Sequence, residues 1–251
     1  MINPFAFLLA TLRALLIIIS LVVYLFVFLL LIFSFIKKTQ GKAFRIRRSW
    51  IKLCNFILGI KVEVSGEIPE GTTLFISNHR SFSDPIILCK YLDVFIIAKA
   101  EVANIPLIHT GASLTGILYV QRDDKDSRSA VRKEMVDTLL SGHNVLVFPE
   151  GTTNNAMTTM PYRAGTFIEA ANNNISIVPI VIEYKRQKDM WYKSSLLKQF
   201  FRQFGAWRTH VKVCFGPTLK SSDGEYLRAK AEQWTNTNIE SIHQSWDSYF
   251  N

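Results

Sequence analysis

A histidine and an aspartate stand five positions apart in a polar loop that follows a predicted strand at Thr73–Ser77. The loop reads Ser77-Asn78-His79-Arg80-Ser81-Phe82-Ser83-Asp84-Pro85. If the loop folds back, Asp84 can accept a hydrogen bond from one imidazole nitrogen of His79, and the other nitrogen can then remove a proton from a substrate hydroxyl. In the structural alternative, Asp84 caps the helix that begins here and His79 bonds to backbone. The spacing alone leaves both interpretations open.

Two other predicted strands, Val145–Phe148 and Ile117–Val120, also end in polar residues. The second is followed by Arg122, whose guanidinium can make two hydrogen bonds to one phosphate. The first is followed by Pro149 and then by the run Glu150-Gly151-Thr152. Ligands of an open α/β sheet bind outside the carboxyl ends of its strands, so we expect all these groups to share one site with the histidine.

A competing arrangement lies at Gly111–Gly116, which reads GASLTG. It differs from the G-x-S-x-G turn of serine hydrolases because Thr115 stands in place of the second glycine. Ser113 as a nucleophile is therefore a competing hypothesis, which a covalent serine probe would test. The three cysteines and five histidines form no known ligand spacing, so we expect no metal and no bound cofactor.

The elements that must position these residues alternate between strand and helix from Lys61 onward. Strands are predicted at Lys61–Ser65, Thr73–Ser77, Val94–Ala98, Ile117–Val120, Val145–Phe148 and Ile177–Tyr184, with an edge strand at Val211–Phe215, where apolar and polar residues alternate. Helices are predicted from Ser83 to Leu92 and at Asp126–Leu140, Ala164–Ala171 and Glu225–Tyr249. This order predicts an α/β fold, a mixed sheet flanked by helices, with one catalytic domain over residues 60–251.

The N-terminal part of the chain has a different composition. Over residues 5–36 only Arg13 carries a charge, and Ala14–Ile36 is 23 uncharged residues, about 35 Å of helix and enough to span a bilayer. Two lysines follow directly, which is typical of a retained anchor and not of a cleaved signal peptide. We therefore expect residues 1–59 to anchor the protein in a membrane, with the catalytic domain on the cytoplasmic side.

A basic segment follows the apolar one. The formal net charge is +9, from 29 Lys and Arg against 20 Asp and Glu, and seven of the positive charges fall between Lys37 and Lys52 with no acid among them. Such a local patch suits anionic lipid headgroups, and we expect no nucleic-acid partner. Trp50, Ile51 and Cys54 have helical spacing with basic residues between them, which predicts an amphipathic interfacial helix. A core-packing helix with a solvated basic face is the alternative.

A second amphipathic segment occurs further along the chain. Its apolar residues are Leu196, Leu197, Phe200, Phe201 and Phe204, and its basic residues are Lys193, Lys198 and Arg202. This segment can touch a membrane surface or pack on the core, and the pattern leaves both open.

Four sequence blocks, in this order along the chain, resemble those of the glycerolipid acyltransferase family, which includes the lysophosphatidic acid acyltransferases. They are Asn78–Asp84, which matches NHxSxxD, Gly116–Arg122, which ends in a phosphate-binding arginine, Phe148–Thr152, which matches FPEGT, and the apolar, proline-containing Ile177–Val181. Lys99 and Glu101 match a KxE pattern often found between the first two blocks. N-terminal helices are also typical of this family.

The resemblance implies a mechanism and a substrate class. His79, held by Asp84, would deprotonate the free hydroxyl of a lysophospholipid, and the oxygen would attack the thioester of acyl-CoA or acyl carrier protein without a covalent acyl-enzyme. Arg122, with Lys99, would neutralise the acceptor's phosphate, and the Glu150-Gly151-Thr152 run would shape its glycerol phosphate pocket. The expected acceptor is 1-acyl-sn-glycerol 3-phosphate, which gives phosphatidic acid. The thioester is a co-substrate, and no further cofactor is implied.

One departure from the family pattern bears on the acceptor. Many members carry arginine where Thr153 stands, and the run Thr152–Asn155 resembles members that acylate other lysolipids. A lyso-aminolipid or a lysophosphatidylcholine-type lipid is therefore the alternative acceptor. A lipid-binding protein without catalysis is a third hypothesis, against which the intact pair of His79 and Asp84 speaks.

Overall fold

The computed structural model describes residues 3–33, 40–99, 116–120, 125–192 and 195–246. The helices are α1 Pro4–Phe33, α2 Gln40–Ile57, α3 Asp84–Leu88, α4 Lys125–Leu140, α5 Gly165–Asn172, α6 Leu196–Phe204 and α7 Gly224–Gln244. The strands are β1 Ile60–Ser65, β2 Leu74–Ser77, β3 Val94–Lys99, β4 Ile117–Val120, β5 Asn144–Val147, β6 Ile177–Tyr184 and β7 Thr209–Phe215. The predicted α/β fold, a mixed sheet flanked by helices, is confirmed.

The strands form one sheet in the order β1-β7-β6-β2-β5-β3-β4. Neighbouring strands are parallel except β6 and β7. Central β2 places Ile76 opposite Val147 of β5 and Pro179 of β6. Because β2 and β5 are parallel neighbours, the loops that follow them, which carry His79 and Glu150, leave the sheet at the same edge.

Both faces of the sheet are buried. Phe75 of β2 belongs to a cluster with Ile51 of α2 and Phe204 of α6. Leu74 and Ile76, on either side of Phe75, belong to a second cluster with residues of α4, α5 and α7, as expected when successive side chains point to opposite faces. Every residue of β2 and β6 is buried, which explains why their sequences are almost continuously apolar.

The prediction that Val211–Phe215 is an edge strand is wrong. β7 lies between β1 and β6, and β1 is the edge strand on that side. Burial does alternate along β7. The alternation shows that one face of the strand is less covered, and it carries no information about hydrogen-bonded neighbours in the plane of the sheet.

Two predicted helices end earlier than expected. Regular helix α3 stops at Leu88, although helical hydrogen bonds still join the Cys89 N–H to the Pro85 carbonyl at 2.9 Å and the Leu92 N–H to the Leu88 carbonyl at 3.0 Å. Helix α7 stops at Gln244, where the N–H of Ser245 bonds to carbonyls three and four residues back. The predicted end of α7 at Tyr249 lies outside the described residues.

Helix α1 is apolar on its outward side. Residues Pro4–Val27 have a mean hydropathy of 2.6, and by length and composition they can cross a membrane. Leu8 and Phe26 are 66% and 60% exposed. The helix begins ten residues before the predicted span at Ala14, so the charged Arg13 lies inside it.

The inward side of α1 packs on α2 and α6. Phe7 stacks on Phe201 of α6 with ring centroids 4.9 Å apart, and the Trp50 indole of α2 donates to the Ser20 hydroxyl at 3.2 Å. Arg13 is buried and donates to the carbonyls that end α6. These are the carbonyls of Phe204 at 2.8 Å, Ala206 at 2.5 Å and Trp207 at 2.9 Å. A cation at a helix C-terminus also complements the helix dipole.

Replacing Arg13 with methionine should therefore loosen α1 from α6. The aliphatic stem stays, but the three carbonyls lose a charged donor, and hydrogen bonds to charged groups contribute about 1.5–3 kcal/mol. We expect a lower midpoint of thermal unfolding in detergent. The matched control is Arg45→Met, since Arg45 is exposed on α2. Equal midpoints for the two variants would contradict this function of Arg13.

Helix α2 packs into the core through the face that carries Phe44, Ile51 and Cys54. Arg47 on this face is buried and donates to the Val94 carbonyl at 2.9 Å, and Arg48 pairs with Asp93 at 2.8 Å. The core-packing alternative is therefore confirmed for this face, and the basic residues Arg47 and Arg48 are bound to the protein itself. An interfacial position for the outer face stays a prediction, as does the domain boundary at residue 60.

Candidate active site

The loop after β2 brings His79 and Asp84 together. His79 Nδ1 lies 2.8 Å from Asp84 Oδ2, and the carboxylate is fully buried whereas the imidazole is 12% exposed. An ionised carboxylate can only accept, so Nδ1 carries the hydrogen, and in the neutral imidazole Nε2 then has the lone pair. Within the described ranges, no residue bonds to Nε2. The predicted geometry of a base held by an acid is therefore present.

Asp84 does not act as a helix cap. Its Oδ2 accepts from the backbone N–H of Arg80 at 2.6 Å and of Ser81 at 2.9 Å, both before α3. Ser83, at the cap position, makes no side-chain hydrogen bond to the first turn of α3. The structural alternative for Asp84 is therefore wrong, because its oxygens are used by the loop that carries His79.

A tyrosine from the end of β6 completes the surroundings of Asp84. The Tyr184 hydroxyl donates to Asp84 Oδ1 at 2.6 Å. Burial, with the neighbouring Asp84 charge, raises the pKa of Tyr184 well above its usual value, so the phenol stays protonated. Ser83 Oγ lies 2.9 Å from the same hydroxyl and accepts from Gln203 of α6 at 3.2 Å. A line of hydrogen bonds thus joins α6 to the carboxylate.

Replacing Tyr184 with phenylalanine should slow the reaction without weakening substrate binding. The ring stays, but Asp84 loses one donor, and a hydrogen bond to a charged group contributes about 1.5–3 kcal/mol. We expect kcat to fall by about tenfold with both KM values unchanged, measured by steady-state kinetics. Tyr226→Phe, at a 51% exposed position on α7, is the control. An unchanged kcat for Tyr184→Phe would remove Tyr184 from the positioning of Asp84.

The side chains of Ser81 and Ser83 form hydrogen bonds with each other and with residues other than His79. Ser81 Oγ lies 2.9 Å from Ser83 Oγ and 3.3 Å from Gln203 Oε1, and Ser83 Oγ contacts Tyr184. A nucleophilic serine must instead reach the imidazole of its base. The loop therefore offers a general base without a serine nucleophile. The competing Ser113 lies outside the described residues.

Glu150 connects the loop after β5 to His79. It is 3% exposed, and its Oε1 accepts from the His79 N–H at 2.8 Å. Its Oε2 accepts from the Met160 N–H at 2.8 Å and from the Asn154 amide. Burial raises the pKa of Glu150, and the two N–H donors oppose the rise. The carboxylate thus fixes the backbone that carries the base, and its predicted part in the acceptor pocket stays a prediction.

Arg80 and Glu183 form a buried ion pair behind the two loops. Both side chains are fully buried, with Arg80 Nε 2.5 Å from Glu183 Oε1. Arg80 NH1 also donates to Asn154 Oδ1 at 2.6 Å, so it ties β6 to the loop after β5. Sequence reasoning missed this pair. The available signal was Glu183, an acid inside an otherwise apolar buried strand, which needs a partner.

Aromatic rings surround the imidazole. Phe148 stacks on His79 with centroids 4.2 Å apart, and Phe82 approaches edge-on at 6.5 Å. Phe82 is 51% exposed and contacts Trp191 at 5.5 Å. The mouth of the site is therefore partly apolar, which suits an aliphatic substrate chain.

The other predicted site residues are placed as follows. Gly151 has φ +74°, a backbone conformation that favours glycine, and Thr152 is exposed beside it. Lys99 is the last residue of β3, at the same edge of the sheet as the histidine loop. Arg122 and Glu101 lie outside the described residues, so their contribution stays a prediction.

Comparisons with known proteins agree with this geometry. Residues 59–183 match the family model described as Acyltransferase. A lyso-ornithine lipid O-acyltransferase of Pseudomonas aeruginosa is 32% identical over 142 residues, covering 57% of this chain and 55% of that protein. A 1-acyl-sn-glycerol-3-phosphate acyltransferase of Helicobacter pylori is 30% identical over 157 residues, covering 61% of this chain and 65% of that protein. The matches thus span between half and two thirds of these two relatives.

A solved structure shares the fold. It is the crystal structure of a 1-acyl-sn-glycerophosphate acyltransferase from Thermotoga maritima, with a TM-score of 0.66 and 18% identity. The similarity covers 94% of this chain and 99% of that one.

Proposed function

Since residues 59–183 of this chain belong to the acyltransferase family, we propose that the protein moves a fatty acyl group from a thioester donor to the free hydroxyl of a lysolipid. The observation that carries the proposal is the pair of His79 and Asp84, joined at 2.8 Å where β2 ends. A non-catalytic lipid-binding protein has no use for a buried carboxylate that fixes the tautomer of an imidazole.

The proposed reaction is one displacement. His79 Nε2 takes the proton of the acceptor hydroxyl while that oxygen forms a bond to the thioester carbonyl carbon. The carbon–sulfur bond then breaks, and the thiolate receives the proton from the imidazolium. Asp84 stabilises the imidazolium charge, and its four donors hold the carboxylate in place. Acyl-CoA and acyl carrier protein are the proposed donors.

For the acceptor we propose 1-acyl-sn-glycerol 3-phosphate, with phosphatidic acid as the product. The named activity of the Helicobacter pylori relative supports this choice. A lyso-ornithine lipid, which is a lyso-aminolipid, is the second candidate. It is favoured by the named activity of the Pseudomonas aeruginosa relative and by Thr153 in place of the arginine that many members carry.

One assay tests the activity and separates the acceptors. The full chain in mixed micelles would receive labelled acyl-CoA or acyl carrier protein and a panel containing both candidate acceptors and a lysophosphatidylcholine. Mass spectrometry would identify the product lipid. We expect phosphatidic acid as the main product. If ornithine lipid is the only labelled product, the lyso-ornithine lipid is the acceptor in place of 1-acyl-sn-glycerol 3-phosphate. If no combination of donor and acceptor gives a labelled lipid, the proposed function is contradicted.

We also propose that α1 holds the protein in a membrane with the catalytic part on the cytoplasmic side. The exposed apolar side of α1 supports the attachment, and the two lysines at positions 37 and 38 support the orientation. Anionic headgroups are the proposed lipid partners of the basic residues that α2 leaves exposed. Protease added outside sealed spheroplasts should leave the catalytic domain intact, and cleavage of that domain there would reverse the orientation.

A further inference from the structure

A cavity of about 390 Å³ opens between α4 and α5 at the edge of the sheet where His79 lies. This volume is within the range of small-molecule pockets. Its apolar wall includes Ile97 at β3, Val147 at the end of β5 and Phe148. Three guanidinium groups complete the lining, those of Arg128 and Arg132 on α4 and of Arg163 just before α5.

Two of these arginines lie where glycines leave room for them. A Cβ on Gly151 would stand 2.9 Å from Arg163 Cζ, and a Cβ on Gly165 would stand 3.2 Å from Arg132 Cδ. A side chain at Gly151 would therefore displace the Arg163 guanidinium, and one at Gly165 would push the stem of Arg132 aside by a few tenths of an ångström. The loop after β5 and the start of α5 are thus shaped to admit positive charge.

The charged groups in the described lining of the cavity are the three guanidiniums. None of the described residues that line it is acidic. Glu169 of α5 lies outside the lining, 3.8 Å from Arg132 Nε. The carboxylate of Glu150 is turned away, because it accepts from the N–H groups of His79 and Met160. Several guanidiniums around one space repel one another and strongly favour an anion, above all the oxygens of a phosphate.

The cavity is next to the base. Phe148 lines it and also stacks on His79 with ring centroids 4.2 Å apart. Phe148 is therefore shared by the cavity and the base, so one substrate can occupy the cavity and contact the imidazole. Helix α5 begins at the cavity with Gly165, and the preceding Ala164 provides no side-chain cap, so the helix dipole adds to the attraction.

We propose that this cavity is a phosphate site of the enzyme, formed by Arg128, Arg132 and Arg163. The proposal rests on the proposed function, because it assigns the phosphate to one of the two substrates. The phosphate belongs either to the headgroup of the acceptor or to the nucleotide of the thioester donor. These two sources share the same chemistry, and kinetics distinguishes them.

The test starts from binding, so that it does not depend on turnover. Calorimetry on the full chain in detergent would use glycerol 3-phosphate and adenosine 3′,5′-bisphosphate as probes. The variants are Arg163→Gln and Arg128→Gln. The two residues lie on different elements, so if one variant fails to fold, the binding affinity of the other still tests the site. Lys133→Gln is the control, because Lys133 is on α4 with its side chain 79% exposed.

We expect one of the two probes to bind wild type and the control equally, and to bind each arginine variant about tenfold or more weakly. If that probe is glycerol 3-phosphate, the KM for the acceptor rises in the variants. If it is the adenosine compound, the KM for acyl-CoA rises instead. Equal binding of both probes to wild type and the arginine variants, or no binding to wild type, would overturn the proposal. If a probe binds through Arg163 but the protein shows no acyl transfer, the phosphate site is supported and the proposed function is refuted.

Discussion

Replacing His79 with glutamine is expected to lower kcat by about 10²–10⁴-fold, the usual contribution of general acid–base catalysis. Glutamine keeps a polar side chain of similar length beside Phe148 but has no basic nitrogen. The acceptor hydroxyl then keeps its proton until it meets the thioester, whereas substrate binding is unchanged. Single-turnover measurements at saturating lysolipid would show the loss in the chemical step.

A second histidine provides the control. His210 is exposed on β7, so His210→Gln should leave kcat unchanged. The unfolding midpoint of His79→Gln should match that of wild type, because the backbone N–H that bonds to Glu150 is retained. A fall of less than about tenfold in kcat would remove His79 from the mechanism.

Replacing Arg80 with methionine is expected to destabilise the fold by about 3–5 kcal/mol, the usual cost of removing one partner of a buried ion pair. The buried carboxylate of Glu183 would then lack its guanidinium partner, with the Asn78 amide at 3.2 Å and His243 at 3.3 Å beside it. Denaturant unfolding followed by circular dichroism would measure the loss.

The double variant Arg80→Met/Glu183→Gln separates this cause from a simple packing defect. The unpaired charge is absent in the double variant, so it should regain much of the lost stability. An equal loss in the single and double variants would show that the shape of the arginine, and not the charge left on Glu183, determines the cost.

The elements near the candidate base could be predicted from local sequence. Strands β2 and β5 are short apolar runs bounded by polar loops, and burial on both faces is what produces such runs. His79 and Asp84 are five residues apart, so one loop contains the whole interaction. Their contact needed no knowledge of the topology.

The surroundings of that pair could not be predicted in the same way. Tyr184 bonds to Asp84 across 100 residues of sequence, and Gln203 bonds to Ser83 across 120. Both contacts exist because β6 pairs with β2 and α6 packs behind the loop, and amphipathic periodicity specifies neither neighbour. The incorrect edge assignment of β7 has the same origin, since pairing partners are properties of the whole sheet.

The bonds of Arg13 to the end of α6 impose an order on biosynthesis. Arg13 and Phe204 are 191 residues apart, so at 5–20 residues per second the ribosome needs about 10–40 s to make the partner after the arginine. During that interval the nascent apolar helix carries a charge whose carbonyl acceptors do not yet exist. Gln203, which contacts the serines beside Asp84, is synthesised in the same late segment. Docking of the first helix and completion of the catalytic loop therefore both wait for α6, and a chain released before it would have neither.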